Sequence, residues 1–449
     1  MKRLFTYFAI ISLCASCGTM RTAQNATVNS LAPSVSPQDT VTKADPLKKG
    51  SVKDSSLQSN TSTDSSLRSS TFQDSLKLGS LKDSALNAIA LKDSTVLSDV
   101  DSSTIAIQEV QEPIRYDFSP VYQTDVYVPT PREMPAGEYS GITYLGSHNY
   151  AVVHDKLNGE GIVFMQIYID DSGKVNSVET TIPVFTTSSR VSGRDNEGIA
   201  FVPDAKNTPH VTSGRLFVSS ESTQSIVEYT LDGKETGRSL KIPAAFAKDK
   251  INSNNGFEAL TYNDVTKTFW TTTETPLKAD GKDSRLLRLQ SFDSNMKAGK
   301  QYLYKMDAPV KSADEGAAAK AYVHGVPAMA ALDDGSIIVL EREVYVPNGG
   351  LFAKALGSFT RTKLYVVNPS DYSSNSSSKK SSSEILEKRL LLSFNTSALN
   401  LANYEGMCVG PVIYGDNPQD DWHTLVLIAD SQGGSNGLTA EYIKVIVFK

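Results

Sequence analysis

From about residue 114 onward, apolar and polar residues alternate in short runs. The runs are broken by turn-forming stretches such as Asp171-Ser172-Gly173, Asp232-Gly233 and Asp334-Gly335. A period of two interrupted by turns predicts short β-strands. Helical periodicity is scarce, and Ala317–Tyr322 is the one short stretch that suits a helix. Lys278–Ser284 and the Ser/Lys tract Ser373–Glu384 read as loops.

One unit recurs along this region. It starts at Ser140, Glu197, Glu258, Pro327 and Glu405. Each start is followed at once by a small residue: Gly141, Gly198, Ala259, Ala328 or Gly406. A turn and a second apolar strand come next, and that strand ends on an acid: Asp155, Glu221, Glu274, Glu341 or Asp430. Every interval leaves room for two more strands, such as Ser225–Leu231 with Gly237–Ile242. Four antiparallel strands per repeat make the blade of a β-propeller. The small residues suit an innermost strand, where the blades converge. The fold class is therefore all-β, a propeller of five to six four-stranded blades. Asp125–Pro129 would supply the last blade's fourth strand and close the ring. A β-sandwich or a two-domain all-β chain is the alternative.

The region before residue 114 reads differently. Met1-Lys2-Arg3 is basic, Leu4–Leu13 is an apolar run of about 10 residues, and Cys14-Ala15-Ser16-Cys17-Gly18 follows. This resembles a bacterial lipoprotein signal, with residues 1–16 removed and Cys17 lipidated. Residues 17–113 form a polar tether in which Asp-Ser pairs recur about every ten residues, from Asp54-Ser55 to Asp93-Ser94. Phe72 is the one aromatic residue between Gly18 and Pro113. So few apolar groups do not offset the entropy of ordering, and disorder is expected. Residues 114–449 remain as a single body.

Charge narrows the partners. The chain carries Lys+Arg 44 against Asp+Glu 50, a net charge of -6 that falls almost wholly on the body. An acidic balance argues against nucleic acid. With Cys17 lipidated, Cys408 has no disulfide partner, and its apolar neighbours make it a small buried hydrophobe. The five histidines, His148, His154, His210, His324 and His423, show no zinc-hydrolase spacing. A P-loop is absent. His154 precedes Asp155 and is expected on a solvated loop, with the mouth as the alternative.

In an antiparallel pair, the start of one strand and the end of the next share an edge. Asp155, Glu197, Glu221, Glu258, Glu274, Glu341, Glu405 and Asp430 are therefore expected at one mouth of the ring. Two carboxylates about 6 Å apart repel by roughly 3 kcal/mol at an effective dielectric of about 20. A concentration of this kind calls for a cation. Hard oxygen ligands in a flexible cup favour Ca²⁺ over Zn²⁺. The other reading is a ring of Glu–Arg pairs using Arg194, Arg342 or Arg361.

The residues around these acids resemble the phytase-like family, also described as "esterase-like activity of phytase". The resemblance covers about Tyr139 to Phe448. It rests on Asp195-Asn196-Glu197-Gly198-Ile199-Ala200, Ser219-Ser220-Glu221, Asn254-Asn255-Gly256-Phe257-Glu258-Ala259-Leu260 and Glu274-Thr275-Pro276-Leu277. It continues through Leu332-Asp333-Asp334-Gly335, Val339-Leu340-Glu341-Arg342 and Asn403-Tyr404-Glu405-Gly406. Two departures stand out: Ser431 replaces a second Asp after Asp430, and Ala259 replaces a Gly. The resemblance implies a propeller and hydrolysis of phosphomonoesters or esters.

The expectation is thus a lipid-anchored cell-envelope propeller of a Gram-negative bacterium, on the periplasmic side or the outer surface. It would be a monomer acting on a small anionic or ester substrate with Ca²⁺. Glu197, Glu258, Glu405, Glu274, Glu341, Asp430 and Asp155 are the candidate metal ligands. Glu258, Glu221 and Arg342 are the candidate catalytic residues, with Arg342 clamping the substrate anion. The rivals are a non-catalytic binding propeller and a calcium-dependent lactonase.

Overall fold

The computed structural model describes residues 115–135, 137–154, 161–180, 184–185, 195–208, 212–252, 255–372, 385–397, 400–431 and 441–449. The leader, Cys17, the tether, Asp155, Arg194, His210 and the tract 373–384 lie outside the described residues. No helix among the described residues is long and apolar enough to cross a membrane.

Five antiparallel sheets make up the body. Blade I runs β2 (Tyr139–Gly146), β3 (Asn149–His154), β4 (Gly161–Ile169) and β5 (Val175–Thr180), with β6 (Val184–Phe185) also pairing β4. Blade II is β7 (Asn196–Pro203), β8 (Gly214–Ser220), β9 (Ser225–Tyr229) and β10 (Glu235–Ser239). Blade III is β11 (Phe257–Asn263), β12 (Thr268–Thr273), β13 (Leu286–Phe292) and β14 (Ala298–Lys305). Blade IV is β15 (Ala321–Ala331), β16 (Ile337–Val346), β17 (Phe359–Val367) and β18 (Lys388–Ser397). Blade V is β19 (Asn403–Val409), β20 (His423–Asp430) and β21 (Ile443–Phe448), completed by β1 (Val121–Gln123) from the body's start. The inner strands pack in cyclic order: β2 on β7, β7 on β11, β11 on β15, β15 on β19 and β19 on β2. The ring is a five-bladed propeller.

The closing strand lies a few residues earlier than the expected Asp125–Pro129. Val121–Gln123 pairs Phe448–Ile446, and the ladder continues through Thr124 N–H to Val445 O (3.0 Å) and Tyr127 N–H to Ile443 O (2.9 Å). The short helix α1 is Ala313–Ala317, set by a capping box on Ser312 and Glu315, and so ends where Ala317–Tyr322 was expected to begin. Tyr322 instead belongs to β15.

Each core cluster lies at a seam between blades. On β3, Ala151 and Val153 pack with Ile199, Leu216 and Val218 of blade II. The alternate residues Tyr150 and Val152 pack with Val426, Ile443 and Val445 of blade V. A strand buried on both faces needs apolar residues at consecutive positions. This is why β21 reads Ile443-Lys444-Val445-Ile446-Val447-Phe448 and is buried throughout. Cys408 is buried in the seam between blades V and I.

Candidate functional site at the axial mouth

Where the blades converge, backbone meets backbone. A Cβ on Gly141 would lie 2.5 Å from Glu197 O, one on Gly198 2.4 Å from Glu258 O, and one on Gly406 2.3 Å from Ser140 O. These are the small residues that the repeat singled out. A narrow axial cavity opens there, lined by Gly141, Gly198, Glu258, Pro327, Glu405 and their neighbours.

In every blade the pairing of inner and second strands slips at an equivalent point, and blade I slips again between Tyr144 and Gly146. The slips fall between Tyr139 and Ile142, Asn196 and Ile199, Phe257 and Ala259, Gly325 and Ala328, and Tyr404 and Gly406. Ser140, Glu197, Glu258, Pro327 and Glu405 occupy the slips. An extra residue in a ladder re-aims its side chain, so the inner ring of the mouth presents three carboxylates from five positions.

A second ring comes from the ends of the second strands, and the register defines it. Glu221 N–H donates to Asp195 O (2.8 Å) and Glu274 N–H to Gly256 O (2.9 Å). The same step of the ladder pairs Gly325 with Arg342 and Asn403 with Asp430. Glu221, Glu274, Arg342 and Asp430 are therefore equivalent. Blade IV contributes an arginine where the others contribute an acid.

Glu341, one residue earlier, lies elsewhere. Its carboxylate accepts from Tyr304 Oη (2.7 Å), Lys388 Nζ (2.6 Å) and Asp307 N–H (3.0 Å), in the seam between blades III and IV. His154 is 1% exposed and packs edge-on to Tyr139 rather than lying on a solvated loop. Burial holds its pKa below the usual histidine value.

The mouth divides into two halves. On one side, Arg342 Nη2 donates to Glu274 Oε1 (2.7 Å) and Nη1 to Asn403 Oδ1 (2.7 Å) and to Glu405 Oε1. Asn403 Nδ2 also donates to Glu405 Oε1 (2.8 Å), and Asn255 Nδ2 to Glu274 Oε2 (3.0 Å). On the other side, carboxylate oxygens of Asp195, Glu197 and Glu221 lie within 4.8 Å of one another. At that separation each ionised pair repels by about 3–4 kcal/mol with a dielectric of about 20. Glu221 Oε1 accepts from Gly256 N–H (2.9 Å), yet burial, with Glu274 and Asp195 nearby, pushes its pKa up to about 8. Glu258 stands between the halves. Burial and the charges of Glu197, Glu274 and Glu221 hold its carboxyl far above the usual range, and Arg342 offsets this only in part.

Sequence reasoning assigned no role to Asp195, Asn403 or Gln224. Asp195 and Asn403 precede the inner-strand glutamates by two residues, a spacing that was available as a signal. Asp195 has a positive φ of 54°, a conformation that Asp tolerates better than most residues. Gln224 Nε2 donates to Glu221 O (2.5 Å), and its buried Oε1 has no hydrogen-bond partner among the described residues.

Residues 134–432 match the model of the phytase-like family, described as esterase-like activity of phytase. The chain belongs to the phytase-like family. No curated protein matches. Among solved structures, an α-L-arabinofuranosidase from Fusarium graminearum matches at 10% identity and a TM-score of 0.36, covering 73% of this chain and 98% of that one. Virginiamycin B lyase from Staphylococcus aureus matches at 11% identity and a TM-score of 0.27, covering 73% and 100%. An exo-β-1,3-galactanase from Phanerochaete chrysosporium matches at 10% identity and a TM-score of 0.35, covering 72% and 63%. Likenesses this distant leave the function of the phytase-like chain open.

Proposed function

We propose that this phytase-like protein is a membrane-anchored, cell-envelope hydrolase of phosphomonoesters or esters that uses a divalent cation, Ca²⁺, at the axial mouth. The observation that carries the reading is the trio Asp195, Glu197 and Glu221, whose carboxylate oxygens lie within 4.8 Å of one another. The donor set fits a hard cation, because every candidate ligand atom is an oxygen. Gln224, whose buried Oε1 has no hydrogen-bond partner among the described residues, bonds the Glu221 backbone and offers a neutral oxygen of the kind that Ca²⁺ accepts.

Bound there, the cation would polarise a phosphoryl or carbonyl oxygen and acidify a water. Burial and the neighbouring carboxylates favour the protonated form of Glu258, which suits a general acid that gives its proton to the leaving oxygen. Arg342 is engaged by Glu274, Glu405 and Asn403, so it positions those carboxylates rather than clamping an anion.

The test uses the full-length protein, with phosphate release from phytate and acetate release from an aryl ester followed in Ca²⁺ and in chelator. Turnover should require Ca²⁺, and Glu258→Gln should lower kcat by at least about 100-fold while Ca²⁺ still raises the melting temperature. Ca²⁺ binding without turnover would favour the binding-propeller reading. No turnover and no Ca²⁺-dependent shift in melting would sink the metal site.

A further inference from the structure

We infer that the seam between blades III and IV holds a binding site for a tetrahedral oxyanion, a phosphate group, with Arg361 as its principal ligand. The site lies on the face of the ring that carries the mouth, one strand outward from Arg342. It goes beyond the cation reading and stands whether or not an ion occupies the mouth.

Strand period builds the site. Ile337 and Val339 of β16 and Val367 of β17 pack in the core of this seam. Alternation along each strand turns Glu341 and Glu343, and likewise Tyr365, Lys363 and Arg361, to the same side. The ladders set His324, Glu343 and Arg361 directly opposite one another on β15, β16 and β17. Blade III adds Arg285, which stands just before β13 with a left-handed φ of 58°.

The carboxylates here are already taken up. Lys363 pairs with Asp307, and Lys388 pairs with Asp307 (2.9 Å) and Glu341 (2.6 Å). Glu343 accepts from Val310 N–H (2.8 Å) and Lys311 N–H (2.9 Å). Arg285 donates to a backbone carbonyl, Met306 O (3.3 Å). Arg361 forms no ion pair among the described residues, and its buried Nε has no hydrogen-bond partner. Arg342 differs, because Glu274, Glu405 and Asn403 fill its fork. Burial lowers the His324 pKa, and Arg285 and Lys363 act in the same direction against Glu343 and Glu341. Its ring is therefore neutral at pH 7 and offers one N–H. A buried N–H in a folded protein ordinarily has a partner. A guanidinium that no carboxylate holds matches the oxygens of a phosphate group with its planar fork, and Arg285 and His324 stand by as further donors.

Calorimetric titration of the full-length protein with inorganic phosphate tests this, at constant ionic strength and in buffer freed of divalent cations. The wild type should bind phosphate, and Arg361→Gln should weaken that binding at least tenfold. Arg361→Lys, which keeps the charge but loses the fork, should fall between them. Lys300→Gln removes a charge from the exposed outer strand of blade III and should bind as the wild type does. Arg361 has no partner to lose, so without phosphate Arg361→Gln should melt within about 2 °C of the wild type. Phosphate should raise the melting temperature of the wild type and not that of Arg361→Gln. Phytate in the same buffer separates the sources of the group. Displacement of phosphate by phytate assigns the site to a phosphate carried on a larger molecule, and no displacement assigns it to the free ion. A wild type that binds no phosphate, or binding that Arg361→Gln leaves unchanged, would overturn the inference. So would an Arg361→Gln protein that melts far below the wild type, since the arginine would then be structural. Phosphate binding through Arg361 in a protein whose melting Ca²⁺ does not shift would remove the cation reading and leave this site in place.

Discussion

A glycine on an inner strand reports contact between blades. Gly406 is the tightest case, since a Cβ there would meet Ser140 O at 2.3 Å and Ile428 Cγ2 at 2.5 Å. Ser140 O is backbone, and backbone does not swing aside. Gly406→Ala should therefore cost about 2 kcal/mol or more in urea unfolding, as overpacking does. Ala328→Gly, which adds chain freedom and removes one buried methyl, should cost about 1–2 kcal/mol. A Gly406→Ala protein within about 0.5 kcal/mol of the wild type would refute this account of the axis. These positions were legible in the sequence because a size limit leaves its mark on residue type. The partners of Glu341 were not, since nothing local shows that Lys388 and Tyr304 approach it.

Between elements, the seam from blade V to blade I carries a buried acid that the repeat did not reveal. Glu441 precedes β21, and its Oε1 accepts from Gly137 N–H (2.8 Å) and from Ser431 Oγ. Ser431, where the family has a second Asp, thus serves this seam. Burial raises the Glu441 pKa to about 7, against the lowering effect of those two hydrogen bonds. As pH climbs from about 4.5 to about 7, the unfolded chain loses this proton and the folded chain keeps it. Stability therefore falls through that window and levels off above it. The full loss is on the order of 3 kcal/mol for a shift of this size. Glu221 and Glu258 act in the same direction, so the comparison must be made against a variant. Glu441→Gln should flatten the denaturant midpoint between pH 5 and 8 and leave it unchanged near pH 4. Parallel curves for the two proteins would remove Glu441 from the explanation.

For the whole molecule, the charge of -6 and the position of the closing strand bear on how the propeller is held. The strand β1 completes blade V at the body's N-terminal side. The proposed anchor at Cys17 lies about 100 residues upstream along a polar chain. A lipidated cysteine carrying several acyl chains holds firmly, because each buried CH₂ contributes about 0.8 kcal/mol. Cys17→Ser should move the protein from the membrane to the soluble fraction on cell fractionation, with its melting temperature unchanged. Retention of the variant in the membrane would count against the lipid anchor.

By itself, the sequence determined the repeat, the small residues of the inner strands and the acids that recur beside them. All three follow from strand period and side-chain size, which are local. Tertiary structure decided the blade count, the closure by Val121–Gln123 and the membership of the mouth. In a strand, moving one residue along the chain moves the side chain to the opposite face. The slip between Gly325 and Ala328 set that phase in blade IV. It brought Arg342 to the mouth and turned Glu341 into a seam. No pattern along the chain carries that phase, because it depends on which residue of one strand lies opposite which residue of the next.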